Sequence, residues 1–352
     1  MILKTISDMF AVDTKDIEAV DININNSVSN KISNDGGLSI FRFKIGENRK
    51  DIVVKVKNAD AINKYINMFN VNKEDKFIDM CLQNLDIFEF TDSYKRESEV
   101  LKNIDARLQR YTPVFIGSAE RGKTNTLISE YFEATAERVF DEDVLIFLSK
   151  LHAVYFNRPD IVEEMGLYCP TQATLCSAKP LLSGMIRTAL DSKSVEFSDE
   201  LRGELIEFAD NIDAYIADMQ KSYMTLNHGD FSYRNICYKT NGDLCVYDWE
   251  LARHCHPLFD LITYMCYDDH DTITKSYVKD FLKSYCNLVR ESGFKMDDKE
   301  FIKALDVNLK HFFVFRVVYT TLINNTIPRP LSNLLSRWLK LYNMTDDLIK
   351  NF

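Results

Sequence analysis

The residues from His228 to Glu250 carry the clearest chemistry in this chain: His228-Gly-Asp-Phe-Ser-Tyr-Arg-Asn235, then Asp248-Trp-Glu250. They supply a carboxylate (Asp230), a carboxamide (Asn235) and a second carboxylate (Asp248). Between the last two lies Asn241-Gly242, a pair that favours a two-residue type I′ hairpin turn with positive φ at both positions. On that register Thr240 faces Asp243 and Asn235 faces Asp248, with Cβ atoms about 4.5–5.5 Å apart. Two hard oxygen ligands at that separation suit Mg2+ that also holds phosphate oxygens. Asp230, ahead of the hairpin, reaches the same place as a base. The predicted chemistry is phosphoryl transfer.

Something must hold these groups, and the chain is long enough for two lobes. At 352 residues it exceeds one ordinary core. Its 46% hydrophobic and 27% charged residues fit a soluble globular protein. A net charge of −10 argues against a nucleic-acid partner, which requires clustered Lys and Arg. No basic, then apolar, leader is visible at the N-terminus. The apolar run Phe312–Ile323 is interrupted by Arg316 and too short to span a bilayer, so no membrane role is expected. Eight cysteines without close pairs read as reduced thiols of a cytoplasmic protein. His254-Cys255-His256 lacks a second ligand pair nearby, which argues against zinc.

The first part of the chain reads as strands. Ser27–Ile32 and Ile40–Ile45 flank a turn at Asn34–Ser39, and Asp51–Lys57 is rich in β-branched residues. A helical insertion is expected at about 60–90, then an amphipathic helix over Ser93–Leu108. Pro113–Gly117 and Asn125–Phe132 form an antiparallel pair. Helices are predicted at Asp141–Phe156, Ser198–Met224, Pro257–Asp268, Tyr277–Ser292, Asp298–Asn324 and Leu331–Phe352. The expected fold class is α+β: a β-rich N-terminal lobe over residues 1–132 and a mainly helical C-terminal lobe over 133–352, joined near Glu130–Thr135.

This order, with the His228–Glu250 segment, resembles the aminoglycoside phosphotransferase and choline kinase group, which has a bilobal protein-kinase-like fold. His228, Asp230 and Asn235 match its His-x-Asp-x4-Asn loop, and Asp248-Trp-Glu250 its Asp-x-Glu/Asp metal motif. Arg96-Glu97 resembles the group's Arg-Glu helix, Leu148–His152 its Leu-x-x-Leu-His helix, and Pro257–Leu261 the segment whose aspartate, Asp260, braces the catalytic loop together with His228. The resemblance implies ATP as donor, Lys55 on its phosphates, Glu97 orienting Lys55, and a linker at Glu130-Tyr-Phe132 whose backbone reads the adenine edge. Lys57 remains a rival to Lys55. It further implies Asp230 as catalytic base and Mg2+ on Asn235 and Asp248.

The match covers roughly residues 25–270. Gly36-Gly37 departs from a Gly-x-Gly-x-x-Gly loop, and about 40 residues separate Lys55 from Glu97, hence the insertion. Ser232, where serine/threonine protein kinases place a lysine, favours a small-molecule acceptor. A sugar, an aminoglycoside or a choline-like amino alcohol would fit, and the acidic Tyr267–Asp271 stretch is a candidate contact for it. The alternatives are a protein kinase, although Asp-Phe-Gly and Ala-Pro-Glu are missing, and an inactive nucleotide-binding scaffold.

Overall fold

A computed structural model describes residues 2–20, 38–45, 50–192, 197–267, 273–326 and 332–352. Helix α1 (Ile2–Phe10) precedes three antiparallel strands, β1 (Ile17–Val20), β2 (Leu38–Ile45) and β3 (Lys50–Asn58). Alternation along β3 decides what each face can do. Val54 and its neighbours Ile52 and Val56 join Ile6, Ile17, Phe43, Ile45 and Ile128 in an apolar cluster under α1. Lys55 and Lys57 must therefore emerge on the opposite face. Helices α2 (Ala61–Phe69) and α3 (Asp75–Gln83) form an insertion before α4 (Ser93–Asn103). Strands β4 (Phe115–Arg121) and β5 (Thr124–Glu130) turn at Gly122 (φ 60°) and complete a sheet of order β1-β2-β3-β5-β4. Helix α4 covers the face bearing the two lysines, and Asn125 of β5 donates to Ser98 Oγ (2.5 Å) and the Tyr94 carbonyl (3.1 Å).

The remainder is mostly helical. It comprises α5 (Asp141–Tyr155), α6 (Gln172–Leu190), α7 (Asp199–Asp210) and α8 (Ile212–Met219), then short strands β6 (Thr225–Asn227), β7 (Ile236–Tyr238), β8 (Leu244–Val246) and β9 (Arg253–Cys255). Helices α9 (Leu258–Tyr267), α10 (Lys275–Glu291), α11 (Asp298–Lys303) and α12 (Leu305–Phe312) follow. A π-helical turn (Phe313–Val318) leads into α13 (Tyr319–Thr326), α14 (Ser332–Asn343) and α15 (Thr345–Asn351). The insertion packs across to this half: α2 lies on α13, with Phe69 4.9 Å and Phe90 5.9 Å from Tyr319. The architecture is the expected one, a β-rich N-terminal lobe on a helical C-terminal lobe.

Details differ from expectation for local reasons. The loop at Asn241-Gly242 is not a type I′ turn, because only Gly242 has positive φ (85°). Asn241 Oδ1 accepts from the Asp243 amide (3.0 Å), and the Lys239 carbonyl accepts from the Gly242 amide (2.8 Å). This is a three-residue loop closed by a glycine bulge, and it shifts the register by one. Cys237 pairs with Cys245, and the Asn235 carbonyl accepts from the Tyr247 amide (3.0 Å). Asp248 therefore follows the residue paired with Asn235 and does not face Asn235 directly. Ser198–Met224 divides into two helices at Asn211; Ser198 caps the first through the Leu201 amide (3.2 Å). The Ser93–Leu108 helix stops at Asn103, and Asp298–Asn324 is broken into shorter helices by a turn at Ala304 and the π segment. Helices α1 and α6 and strands β1, β6 and β9 were not expected. Ser27–Ile32, Gly36-Gly37 and Asp268–Asp271 lie outside the described residues.

Candidate active site

The His228–Asn235 segment is held through its backbone. Strand β6 pairs with β9 and delivers the chain to His228. Asp260, fully buried on α9, accepts from the His228 amide (2.6 Å) and the Gly229 amide (2.9 Å). Gly229 adopts φ 83°, and a Cβ there would sit 2.0 Å from the Leu251 carbonyl oxygen, so glycine is required on two counts. His228 Nε2 lies 2.9 Å from the Tyr247 carbonyl and so carries the proton, while Nδ1 accepts from the Asp230 amide (3.3 Å). Asn235 Nδ2 donates to the Asp230 carbonyl (2.7 Å) and to Asp230 Oδ2 (2.9 Å). The carboxamide thereby fixes the direction of the carboxylate. His152, from the Leu-x-x-Leu-His helix α5, bonds Tyr285 (2.8 Å) and stands 3.8 Å from Asp260.

Opposite this loop, five charged groups meet. Lys55 Nζ lies 2.7 Å from Glu97 Oε1 and 3.4 Å from Asp248 Oδ1. Lys57 Nζ lies 2.8 Å from Glu97 Oε2, 2.8 Å from Glu250 Oε2 and 3.8 Å from Asp248. Glu97 thus serves both lysines. Burial opposes its charge, but the two ammonium groups outweigh burial and hold its carboxyl at about 2. Burial likewise opposes the charge on Lys55, yet Glu97 and Asp248 raise it above the ordinary lysine range. Lys57 is raised too, by Glu250 and Glu97 against burial. Burial pushes Glu250 upward, with Lys57 pulling the other way.

Asp248, at φ 68°, is the most open of these carboxylates, its side chain 33% exposed against 2% for Glu97. Two ammonium groups face three carboxylates, so the cluster has room for added positive charge. Lys55 is the lysine nearer Asp248; Lys57 is the one that holds Glu250.

At the other end of the lysine strand, Glu130 pairs with Ile52 and closes β5. The Glu130 amide bonds the Val114 carbonyl (2.9 Å) and the Tyr131 amide the Asp51 carbonyl (3.0 Å). Among the described residues no backbone carbonyl takes the Phe132 amide, whose ring lies 6.0 Å from that of Tyr247.

Three residues take roles that sequence reasoning did not assign to them. Lys57 is an integral ion-pair partner, a role signalled only by its i, i+2 spacing from Lys55. Arg96 is buried and donates to the carbonyls of Glu89 (2.7 Å), Thr91 (2.9 Å), Gly166 (2.9 Å) and Glu250 (2.8 Å), stitching α4 to the Asp248–Glu250 segment. Trp249 is buried 4.7 Å from the His228 ring. His254 and His256 are buried, His256 stacked at 5.5 Å on Phe301, and no cluster of three or more metal-type side chains occurs among the described residues.

Residues 142–293 match the model of the ecdysteroid kinase-like family. Over the whole chain, the structure is similar to an amicoumacin kinase, hAmiN, solved with AMP-PNP, Ca2+ and Ami. The TM-score is 0.52 at 9% identity, covering 99% of this chain and 92% of that one. The chain has a protein-kinase-like fold. Further similar structures are a putative fructosamine-3-kinase from Haemophilus somnus 129PT (TM-score 0.47, 10% identity, 97% and 96% covered). Choline kinase LicA from Streptococcus pneumoniae is another (0.44, 13%, 92% and 98%). No curated protein sequence matches the chain. Among the described residues, no helix is long and apolar enough to cross a membrane.

Proposed function

We propose that the chain is an ATP- and Mg2+-dependent phosphotransferase that moves the γ-phosphate to a hydroxyl of a small polar molecule. The observation that carries this reading is the pairing of Asp230 with Asn235 on a loop clamped by Asp260, beside the Lys55–Glu97–Asp248 cluster. Phosphoryl transfer asks a protein mainly for alignment and for charge neutralisation. Asp230 is suited to orient the acceptor hydroxyl and take its proton, since Asn235 and the braced backbone fix where its oxygens point. Lys55 is suited to the donor phosphates, with Glu97 holding its ammonium in place.

Mg2+ suits this donor set. Asn235 spends its amide nitrogen on Asp230, which leaves an amide oxygen, and Asp248 is the most open carboxylate of a cluster with carboxylate in excess. One carboxylate plus one amide oxygen, with phosphate and water completing an octahedron, is how Mg2+ is commonly bound in such sites. When bound, the ion would neutralise charge on the phosphates. Glu130 and Phe132 are suited to the adenine edge through their backbone groups. A sugar, an aminoglycoside or a choline-like amino alcohol is the acceptor class we propose, in a cytoplasmic setting that eight unpaired cysteines fit.

The test is donor consumption measured over a library of sugars, amino alcohols and aminoglycosides, with Asp230→Ala beside the wild type. The variant should bind Mg2+–nucleotide as before and lose transfer by about a hundredfold or more. Unchanged transfer would remove Asp230 from the chemistry.

A further inference from the structure

Arg316 interrupts the most apolar run in the chain, and the structure buries it in the π-helical turn between α12 and α13. π-turns recur at functional sites because the extra residue redirects a side chain inward. Here the guanidinium reaches the catalytic loop: one terminal nitrogen donates to the Gly229 carbonyl, the other to Glu89 Oε1 and to the Phe315 carbonyl (2.8 Å). Glu89, fully buried, belongs to the insertion and also pairs with Arg253 of β9. Arg253 in turn stacks 4.0 Å over the Phe259 ring, beside Asp260. A buried charge is costly unless paired and hydrogen-bonded, and here two guanidinium groups flank one carboxylate.

We propose that Arg316 is a positioning residue for phosphoryl transfer, fixing the Gly229–Asp230 peptide plane and so the direction in which Asp230 presents its carboxylate. This rests on reading Asp230 as the catalytic carboxylate. The physical basis is that the polar backbone groups around Asp230 are held by side chains, the Asp230 amide by His228 Nδ1 (3.3 Å). Asp260 takes the amides of His228 and Gly229, Asn235 takes the Asp230 carbonyl, and Arg316 takes the Gly229 carbonyl between them. With Arg316 removed, that peptide keeps its donor-side anchor and loses its acceptor-side one, so it can rotate. Glu89, itself paired with Arg253, holds Arg316 in place, which gives the insertion a task at the catalytic loop rather than at the sheet.

The experiment compares Arg316→Met, Arg316→Lys and Glu89→Gln with Leu341→Ala, a buried change on α14, which makes none of the hydrogen bonds to the loop. Four quantities are read: the thermal melt, Mg2+–ADP affinity by calorimetry, kcat and KM for donor consumption, and hydrogen exchange of a peptide spanning Gly229 and Asp230. Arg316→Met should lower kcat by about thirtyfold or more with nucleotide affinity within about threefold, and should speed exchange at the loop. Arg316→Lys, which retains charge and a donor, should recover part of kcat. Leu341→Ala should lower the melt while leaving kcat and loop exchange near wild type. Equal kcat losses in Arg316→Met and Leu341→Ala, or a rise in KM alone, would overturn the proposal. If Arg316→Met does not fold, Arg316→Lys and Glu89→Gln carry the same comparison. A wild type that binds no Mg2+–nucleotide or transfers no phosphate would instead sink the kinase reading. The positioning claim would then be judged on loop exchange, and exchange no faster than in Leu341→Ala would overturn it.

Discussion

Gly229→Ala separates the two reasons for a glycine beside Asp230. Its φ of 83° costs an L-residue about 1–2 kcal/mol, because Cβ crowds the following carbonyl. The second reason is contact: Cβ would stand 2.0 Å from the Leu251 carbonyl oxygen and 2.8 Å from its carbon. Reaching an ordinary contact of 3.4 Å requires a separation of about 1.4 Å, and both partners are backbone. Either the His228–Asp230 segment or the Asp248–Leu251 segment must move, so Asp230 and Asp248 shift relative to each other. A 1 Å misplacement of a catalytic group costs about a hundredfold in rate. Overpacking adds about 1–3 kcal/mol to the φ strain. Gly242→Ala is the control, since φ is 85° there and nothing lies within 4 Å of the added atom. Urea melts and donor-consumption rates on both variants give the answer. Gly229→Ala should lose about 2–5 kcal/mol and about a hundredfold in kcat; Gly242→Ala should lose about 1 kcal/mol and no rate. Equal stability losses, or a Gly229→Ala enzyme at wild-type rate, would refute the contact argument.

The two lysines should separate by assay. Lys57→Met leaves the half-buried Glu250 without its 2.8 Å partner and should cost about 2 kcal/mol in a urea melt. Lys55→Met should cost less stability and weaken nucleotide affinity more in calorimetry; the opposite ranking would exchange their roles. Acid should destabilise the fold before the carboxylates protonate. Burial lowers His152 and His311 and takes His256 down to about 3, so the unfolded chain binds more protons between that value and about 6.5. This stability is fully present above about pH 6.5 and declines as pH falls towards 3, by up to about 1.4 kcal/mol per unit per histidine. Urea midpoints at about pH 7.5 and about pH 5 should differ accordingly, and equal midpoints would count against neutral buried imidazoles.

The legible part of the site was whatever a short spacing could encode. His228, Asp230 and Asn235 lie within one loop, so their meeting is a local matter, and alternation along β3 put both lysines on one face. The hairpin register was not legible. Asn241 can enter the left-handed region or bond its own backbone two residues on, and the bond to the Asp243 amide (3.0 Å) displaced the turn by one residue. Nor could the sequence choose between Lys55 and Lys57, because Glu97 accepts from both, an outcome of α4 packing on the sheet.

The same distinction explains Arg316. As a lone charge in an apolar run it stood out, yet its partners lie 87 and 227 positions away. Its meaning came only from the fold that brings Glu89 and Gly229 together. Burying a guanidinium is tolerated when its donors find fixed acceptors, and the Gly229 carbonyl beside Asp230 is such an acceptor. The cost of that burial is therefore linked to the geometry of the loop. A chain that misplaces Asp230 leaves Arg316 short of a partner, so the energy that orders the C-terminal helices also orders the Asp230 carboxylate.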